Sequence, residues 1–138
     1  MIDNLELLRV AADTGVVTLI WLVQLVIYPG LARYTTTNLK AWHPIYTRRV
    51  TFVVLPLMIA QLGLSIYSVV TVSGLWDMVH LGWVIFAWLI TFLMAVPLHR
   101  RLQRDGDSTS VAVRLVDCNK WRVIAWSLTW LISFTALF

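Results

Sequence analysis

The chain has 138 residues, of which 59% are hydrophobic and 13% are charged, and its net charge is +4. Soluble domains carry about 25% charged residues, so this composition excludes an ordinary soluble globular domain. The single cysteine excludes an intramolecular disulfide and a cysteine-based metal site. Because the basic residues flank apolar segments, membrane topology accounts for the positive charge, and we expect no nucleic-acid partner.

Four apolar segments each approach the length of about 20 residues that a helix needs to cross a bilayer. They lie at residues 14–32, 50–72, 80–98 and 120–138. Asp3 and Glu6 stand where a signal peptide would carry basic residues, so we expect the first segment to remain in the mature protein. Short connections between four such segments predict an all-α, single-domain, up-down-up-down four-helix bundle in the lipid bilayer.

The basic residues predict an orientation for this bundle. Ten of the eleven lysines and arginines lie in the stretches 33–49 and 99–122, whereas the 73–79 connection carries only Asp77. Cytoplasmic connections of membrane proteins carry an excess of lysine and arginine. We therefore expect both basic stretches in the cytoplasm and both termini on the outer side.

Polar side chains recur at helical spacing along each span and predict a face that turns away from lipid. The stripes are Thr14, Thr18, Trp21, Gln24 and Tyr28; Met58, Gln61, Ser65 and Ser68; Ala87, Thr91 and Met94; and Asn119, Arg122, Trp126, Thr129 and Ser133. Where they meet, we predict a small-molecule pocket near the basic face. Its predicted wall includes Gln24, Gln61, Thr91, Met94 and Trp126. A hydrogen bond between Gln24 and Gln61 would satisfy the two amides equally well.

The three histidines fall at different levels of the predicted bundle. His43 and His99 lie near the basic end, and His80 lies near the opposite end of the third span. A hydrocarbon core about 30 Å thick separates His80 from the other two, which argues against a three-histidine metal site. We predict no cofactor, and the alternative is a haem or metal held by His43 and His99.

The segment WHPIYTRRVT contains the densest group of chemically active side chains. Histidine transfers protons near neutral pH, and arginine binds carboxylates or phosphates through two hydrogen bonds. We predict His43 as a base, Tyr28 or Asn119 as groups that orient a substrate, and Arg48 and Arg122 as further catalytic residues. Binding of lipid headgroups is the alternative for the arginine pair of this segment.

The segments YPGLARY, WHPIYTRRVTFVVLPLM, AWLITFLMAVPLHRRL and LVDCNKWRVIAW resemble small bacterial four-helix membrane proteins, which are distantly similar to the anthrone oxygenase-like family. The resemblance covers about residues 24–130 and implies the bacterial inner membrane, with periplasmic termini. It also implies oxidation of polycyclic phenols by O₂ without an obvious cofactor. The implied site residues are His43, Thr91, His99, Asn119 and Arg122. This chain has Tyr46 where relatives often have a second histidine, and Gln61 where they often have an acidic residue.

A fainter resemblance connects the chain with the haem-carrying bacterial protoporphyrinogen oxidases. It rests on the aromatic-proline turn after the first span and on Arg48-Arg49 followed by Pro56-x-Met58. Tyr34 and Thr35 stand where that family has a histidine, and this departure weakens the implication of haem.

Three hypotheses follow for the function. The first is a cofactor-poor oxidoreductase that binds a lipophilic or aromatic substrate near the cytoplasmic face. The second is a non-enzymatic structural or assembly subunit of a membrane complex, with a protein partner or further copies of itself. The third is a haem- or metal-binding membrane protein. No carboxylate lies inside a predicted span, which argues against a channel or a proton pathway.

Overall fold

The computed structural model describes residues 4–105 and 108–137, which form four helices. Helix α1 begins at Asn4 and ends at Leu31, α2 spans Thr36–Thr71, α3 begins at Leu75 and ends at Asp105, and α4 spans Ser108–Thr135. Each helix packs against the two that neighbour it in a ring of order α1, α2, α3 and α4. The predicted all-α four-helix bundle is confirmed for the part of the chain that the structure describes.

The helices are longer than the apolar segments that predicted them. The helices Asn4–Leu31, Thr36–Thr71 and Leu75–Arg104 are long and apolar enough to cross a membrane. The basic stretches, predicted as connections, are mostly helical, because lysine and arginine are good helix formers and hydropathy marks only the apolar part of a helix. The start of α2 is set by Thr35, whose hydroxyl accepts a hydrogen bond from the Asn38 N–H at 3.4 Å.

Helices α1 and α3 each contain one π-helical turn, at Val23–Ile27 and Thr91–Ala95. Each turn ends two residues before a proline, Pro29 in α1 and Pro97 in α3. A proline ring displaces the carbonyl group four residues earlier and offers no N–H, which loosens the hydrogen-bond ladder at this point. Proline is not sufficient for a π turn, since Pro44 and Pro56 lie inside α2 without one. The extra residue in each turn rotates the following part of the helix relative to the preceding part.

This rotation changes which residues of α3 face the bundle. Val84 and Ala87 are buried before the π turn, and Ala95 is buried after it. Met94, which a regular helix would place below Ala87, is 47% exposed. The prediction that Met94 faces a pocket between the helices assumed an unbroken α helix, and Met94 instead lies on the outside of α3.

The predicted stripe on α1 is also only partly buried. Thr14, Thr18 and Trp21 are exposed, whereas Asp13 and Tyr28 are buried. A threonine can lie on the lipid-facing side of a helix, because its hydroxyl can donate a hydrogen bond to a carbonyl of the same helix, as Thr14 does. The π turn then brings Tyr28 to the buried face.

The stripes predicted on α2 and α4 face the interior as expected. The buried residues are Met58, Gln61, Ser65 and Ser68 on α2 and Asn119, Arg122, Trp126, Thr129 and Ser133 on α4. These helices contain no π turn within their described residues, so the spacing of a regular helix holds along their length.

Candidate functional site

A cavity of about 390 Å³ lies between the helices and extends to the basic end of the bundle. Most of its wall is apolar and includes Val16, Ile20, Val54, Met58, Phe92 and Trp126. Its polar side chains are Tyr28, Tyr46, Thr47, Thr51, Thr91, His99, Arg100, Gln103 and Arg122. Along α2 the lining extends from Tyr46 to Met58, which corresponds to about 18 Å at the helical rise. The cavity is therefore elongated, apolar along most of its length and polar at one end.

Three side chains at the polar end form a continuous hydrogen-bonded chain. The Tyr28 hydroxyl lies 2.9 Å from His99 Nε2, and His99 Nδ1 lies 2.9 Å from His43 Nε2. Tyr28 and His99 line the cavity, whereas His43 is fully buried behind them. Nδ1 of His43 has no hydrogen-bond partner among the described residues. The chain therefore runs from the cavity wall to a buried imidazole with one free position.

The hydrogen-bonded chain of Tyr28, His99 and His43 can accept a proton from the cavity. When both imidazoles are neutral, each carries one N–H, so the bonds run either from Tyr28 through His99 to His43 or in the reverse direction. A proton added at the cavity end converts the pair into an imidazolium whose charge the two rings can share along the hydrogen bond. Such an arrangement can relay a proton between the cavity wall and His43, as general acid–base chemistry requires.

Arg122 presents a buried positive charge to the same cavity. Its Nη1 donates to Asn119 Oδ1 at 3.1 Å, and its guanidinium lies 4.9 Å from the ring centroid of Trp126. The side-chain amide of Asn119 donates in turn to Gln24 Oε1 at 3.0 Å. Among the described residues, Arg122 has no carboxylate partner and its Nε has no hydrogen-bond partner. A buried charge without a counter-ion is costly, so this position favours an anionic group in the cavity.

Of the predicted site residues, five line the cavity: Tyr28, Thr91, His99, Arg122 and Trp126. His43, predicted as the base, does not reach the cavity and can act only through His99. Asn119, predicted to orient a substrate, is fully buried and positions Arg122 instead.

Other predicted site residues lie elsewhere. Arg48 and Met94 are exposed and do not line the cavity, and Gln24 stands behind Asn119. The alternative of a hydrogen bond between Gln24 and Gln61 is not realised, since Gln24 bonds to Asn119 and Gln61 bonds to Asp13 and Trp126. Gln24 lies near the connection between α1 and α2 and Gln61 lies far from it, so antiparallel packing places the two amides at different depths.

A second polar cluster surrounds Asp13 at the opposite end of the bundle. The Asp13 carboxylate accepts hydrogen bonds from Gln61 Nε2 at 2.6 Å, from the Ser133 hydroxyl, and from His80 Nε2, which lies 2.9 Å away. Trp126 Nε1 donates to Gln61 Oε1 at 3.0 Å. All four helices contribute to this network, and Asp13 is 1% exposed. The cluster therefore ties the bundle together far from His43 and His99, as the separation of the histidines predicted.

Arg9 extends this cluster toward the end of the bundle. Its Nη1 donates to Ser68 Oγ at 2.8 Å and to Asp77 Oδ1 at 2.5 Å, and its Nε donates to Ser133 Oγ. Arg9 and Asp13 lie outside the predicted first span, 14–32, because hydropathy places the start of a span after the last charged residue. Arg9, Asp13 and Val16 follow the spacing i, i+4, i+7, which indicates that all three lie on one face of a helix. The expectation that no carboxylate lies within a membrane-length helix is thus wrong for Asp13.

His43 and His99 are placed as hydrogen-bond partners. Two nitrogen ligands of a tetrahedral metal, each at about 2.0–2.1 Å from the ion, would stand about 3.3 Å apart, which is wider than the observed 2.9 Å. No group of three or more metal-ligating side chains occurs in the described ranges. Burial raises the pKa of the nearby Cys118 thiol, which keeps this group protonated.

Comparison of the chain with family models, with curated proteins and with solved structures finds no match. The function is therefore argued from the geometry of the cavity and from the side chains in its wall.

Proposed function

We propose that this chain is an integral membrane protein that binds a lipophilic aromatic molecule with an acidic hydroxyl group between its helices. The observation that carries the proposal is Arg122, a buried cation without a carboxylate partner in the described chain, beside a cavity that is apolar along most of its length. An apolar ring system matches the lining, and a phenolate or enolate oxygen would supply the missing counter-ion.

The outer surface of the bundle supports the membrane location. Large apolar side chains are exposed around the bundle, for example Phe52 at 83%, Val70 at 73% and Leu93 at 70%. Such an extensive apolar surface is unfavourable in water and favourable in lipid. The basic end would lie at the cytoplasmic headgroups of a bacterial inner membrane, in keeping with the distribution of lysine and arginine.

The cavity suits a ligand that arrives from the membrane. Its lining includes Thr51 on α2 and Phe92 on α3, both of which are exposed on the outside of the bundle. A ligand dissolved in the bilayer would enter between these two helices, with its hydroxyl group directed to the basic end. No passage through the aqueous phase is then required.

The polar end would activate the bound hydroxyl group. The chain from Tyr28 through His99 to His43 accepts the hydroxyl proton, and Arg122 holds the resulting anion. The Tyr28 hydroxyl meets the ligand and relays its proton to His99 Nε2, and His43 stabilises the proton from behind. In the oxygenation that the family resemblance implies, O₂ is the oxidant: one oxygen atom replaces two substrate hydrogens as a carbonyl, and the other leaves with them as water.

The proposal predicts a specific effect of Arg122→Gln on ligand binding. We would compare naphthol with methoxynaphthalene by equilibrium dialysis in mild detergent, corrected with protein-free micelles. A charged hydrogen bond contributes about 1.5–3 kcal/mol, so naphthol binding should weaken about tenfold or more while methoxynaphthalene binding stays the same. Arg49→Gln, which removes an exposed cation outside the cavity, should change neither.

In Arg122→Gln, an equal loss of affinity for naphthol and methoxynaphthalene, or no loss of affinity for naphthol, would contradict the proposal. Mass spectrometry and an absorption spectrum of the purified protein separate it from the other hypotheses. A co-purifying phenol or quinone supports the proposal. A Soret band would favour a haem protein, and a stoichiometric protein partner would favour a structural subunit.

A further inference from the structure

A second groove lies on the outside of the bundle, between the end of α3 and the first half of α4, with a volume of about 370 Å³. Leu93, Met94 and Trp121 line its apolar part, and each of these side chains is roughly half exposed or more. Arg101 and Arg114 line the part nearest to the basic end. The groove therefore has an apolar end and a cationic end, unlike the surrounding apolar surface.

The charge of this groove is not neutralised by the chain itself. No ion pair or hydrogen bond within the described residues occupies the guanidinium group of Arg101 or Arg114. The one carboxylate in the groove wall, Asp117, is paired with Lys120 at 2.7 Å. The groove keeps the charge of its two arginines, which favours an anion at this end.

The dimensions of the groove match the upper part of a phospholipid. Met94 and Arg101 are separated by seven residues, or about 10 Å along a helix. We propose that the groove binds an anionic phospholipid, with its phosphate between Arg101 and Arg114 and an acyl chain along Leu93, Met94 and Trp121. This inference depends on the proposed insertion into a membrane and is independent of the ligand in the central cavity.

Charge favours a lipid over a second copy of the chain. Two copies with the same orientation in a membrane would bring their basic ends to the same level, so that Arg101 and Arg114 would face like charges. An anionic headgroup has the complementary charge and lies at the depth of the arginines. Basic grooves between membrane helices are also a known kind of site for anionic headgroups.

Native mass spectrometry of the delipidated full-length protein tests this site. We would add phosphatidylglycerol or phosphatidylcholine with identical acyl chains and count the lipids that remain bound. One phosphatidylglycerol molecule should remain bound per protein. Its affinity should be at least tenfold higher than that of phosphatidylcholine. Arg101→Gln/Arg114→Gln should abolish this preference. Arg33→Gln/Arg49→Gln, which removes two exposed arginines from the same end of the bundle, should keep it.

Three results would overturn the inference. The first is equal retention of phosphatidylglycerol and phosphatidylcholine. The second is an equal loss of the preference for phosphatidylglycerol in both double variants. The third is a dimer that survives delipidation and dissociates only in Arg101→Gln/Arg114→Gln. Circular dichroism and gel filtration confirm that each variant is folded. Because Arg122 is unchanged in these variants, naphthol binding tests the proposed function separately.

Discussion

Asp13 illustrates how the surroundings of one residue decide its role. An isolated carboxylate is costly in an apolar bundle, yet both oxygens of Asp13 accept hydrogen bonds from other helices. The partners are Gln61, His80 and Ser133. Their donors are themselves buried, so they depend on Asp13 as much as Asp13 depends on them. The network is therefore a structural link between helices, although the sequence alone presents Asp13 as the flank of a membrane span.

We predict that Asp13→Ala strongly destabilises the protein. The change leaves the donors of Gln61 and His80 without their acceptor in a buried site, and loss of one buried charged partner typically costs about 3–5 kcal/mol. Asp117→Ala is the matched control, because Asp117 forms an exposed pair with Lys120 and such pairs contribute little. Thermal unfolding in detergent should show a large decrease in melting temperature for Asp13→Ala and almost no decrease for Asp117→Ala. Similar melting temperatures for the two variants would rule out the structural role.

At the scale of elements, the two π turns determine which side chains reach the interior. Each adds one residue to its helix, so the helical face that is buried before the turn is displaced by one position after it. In α3 this displacement exposes Met94 and buries Ala95, and in α1 it buries Tyr28. Proline positions alone could not have predicted the turns, since Pro44 and Pro56 lie inside α2 without one. The hydrophobic pattern could not either, because long apolar segments contain few polar residues to reveal a shift.

We predict that deletion of Met94 is tolerated, because removal of one residue from Thr91–Ala95 restores a regular α helix and keeps the buried faces aligned on both sides. Deletion of Ile85, also exposed but in a regular part of α3, would rotate the two halves of the helix by about 100° relative to each other. The yield of folded protein and its melting temperature should fall only for the second deletion. Comparable losses in both would show that the π turn does not absorb the extra residue.

At the scale of the whole molecule, the ring of antiparallel helices places one polar network at each end. The end that carries the histidine pair His43 and His99 also carries the basic residues, and the end with Asp13 and His80 carries few. Trp126 lies between the networks, since its indole N–H bonds to Gln61 and its ring faces Arg122. The cavity with its histidine pair and the Asp13 network therefore occupy different halves of one structure.

The positive-inside rule predicts that the histidine end faces the cytoplasm. In a Cys118→Ala background, we would introduce Thr37→Cys at the basic end and Ser73→Cys at the connection between α2 and α3, both exposed positions. A membrane-impermeant maleimide should label Ser73→Cys in intact bacterial cells. It should label Thr37→Cys only after the membrane is opened. The reverse pattern would invert the proposed orientation, and labelling of both in intact cells would rule out a fixed topology.

The sequence by itself determined the helical class, the number of helices and the inward faces of α2 and α4. These features follow from apolar segments of sufficient length and from an unbroken helical period. It also identified Tyr28, His99 and Arg122, partly through a family resemblance, as residues near one end of the bundle. Polar and ionisable side chains are unusual in an apolar helix, so these residues could be identified as site candidates without a structure.

Only the tertiary structure decided which of these groups meet. The hydrogen bonds from Tyr28 through His99 to His43 join three helices, and no local pattern specifies a contact between residues so distant in sequence. The phase shift at each π turn and the burial of Asp13 likewise depend on packing between helices. A period of 3.6 residues predicts the face of a single regular helix, but the depth and rotation at which two helices meet are set by all four together.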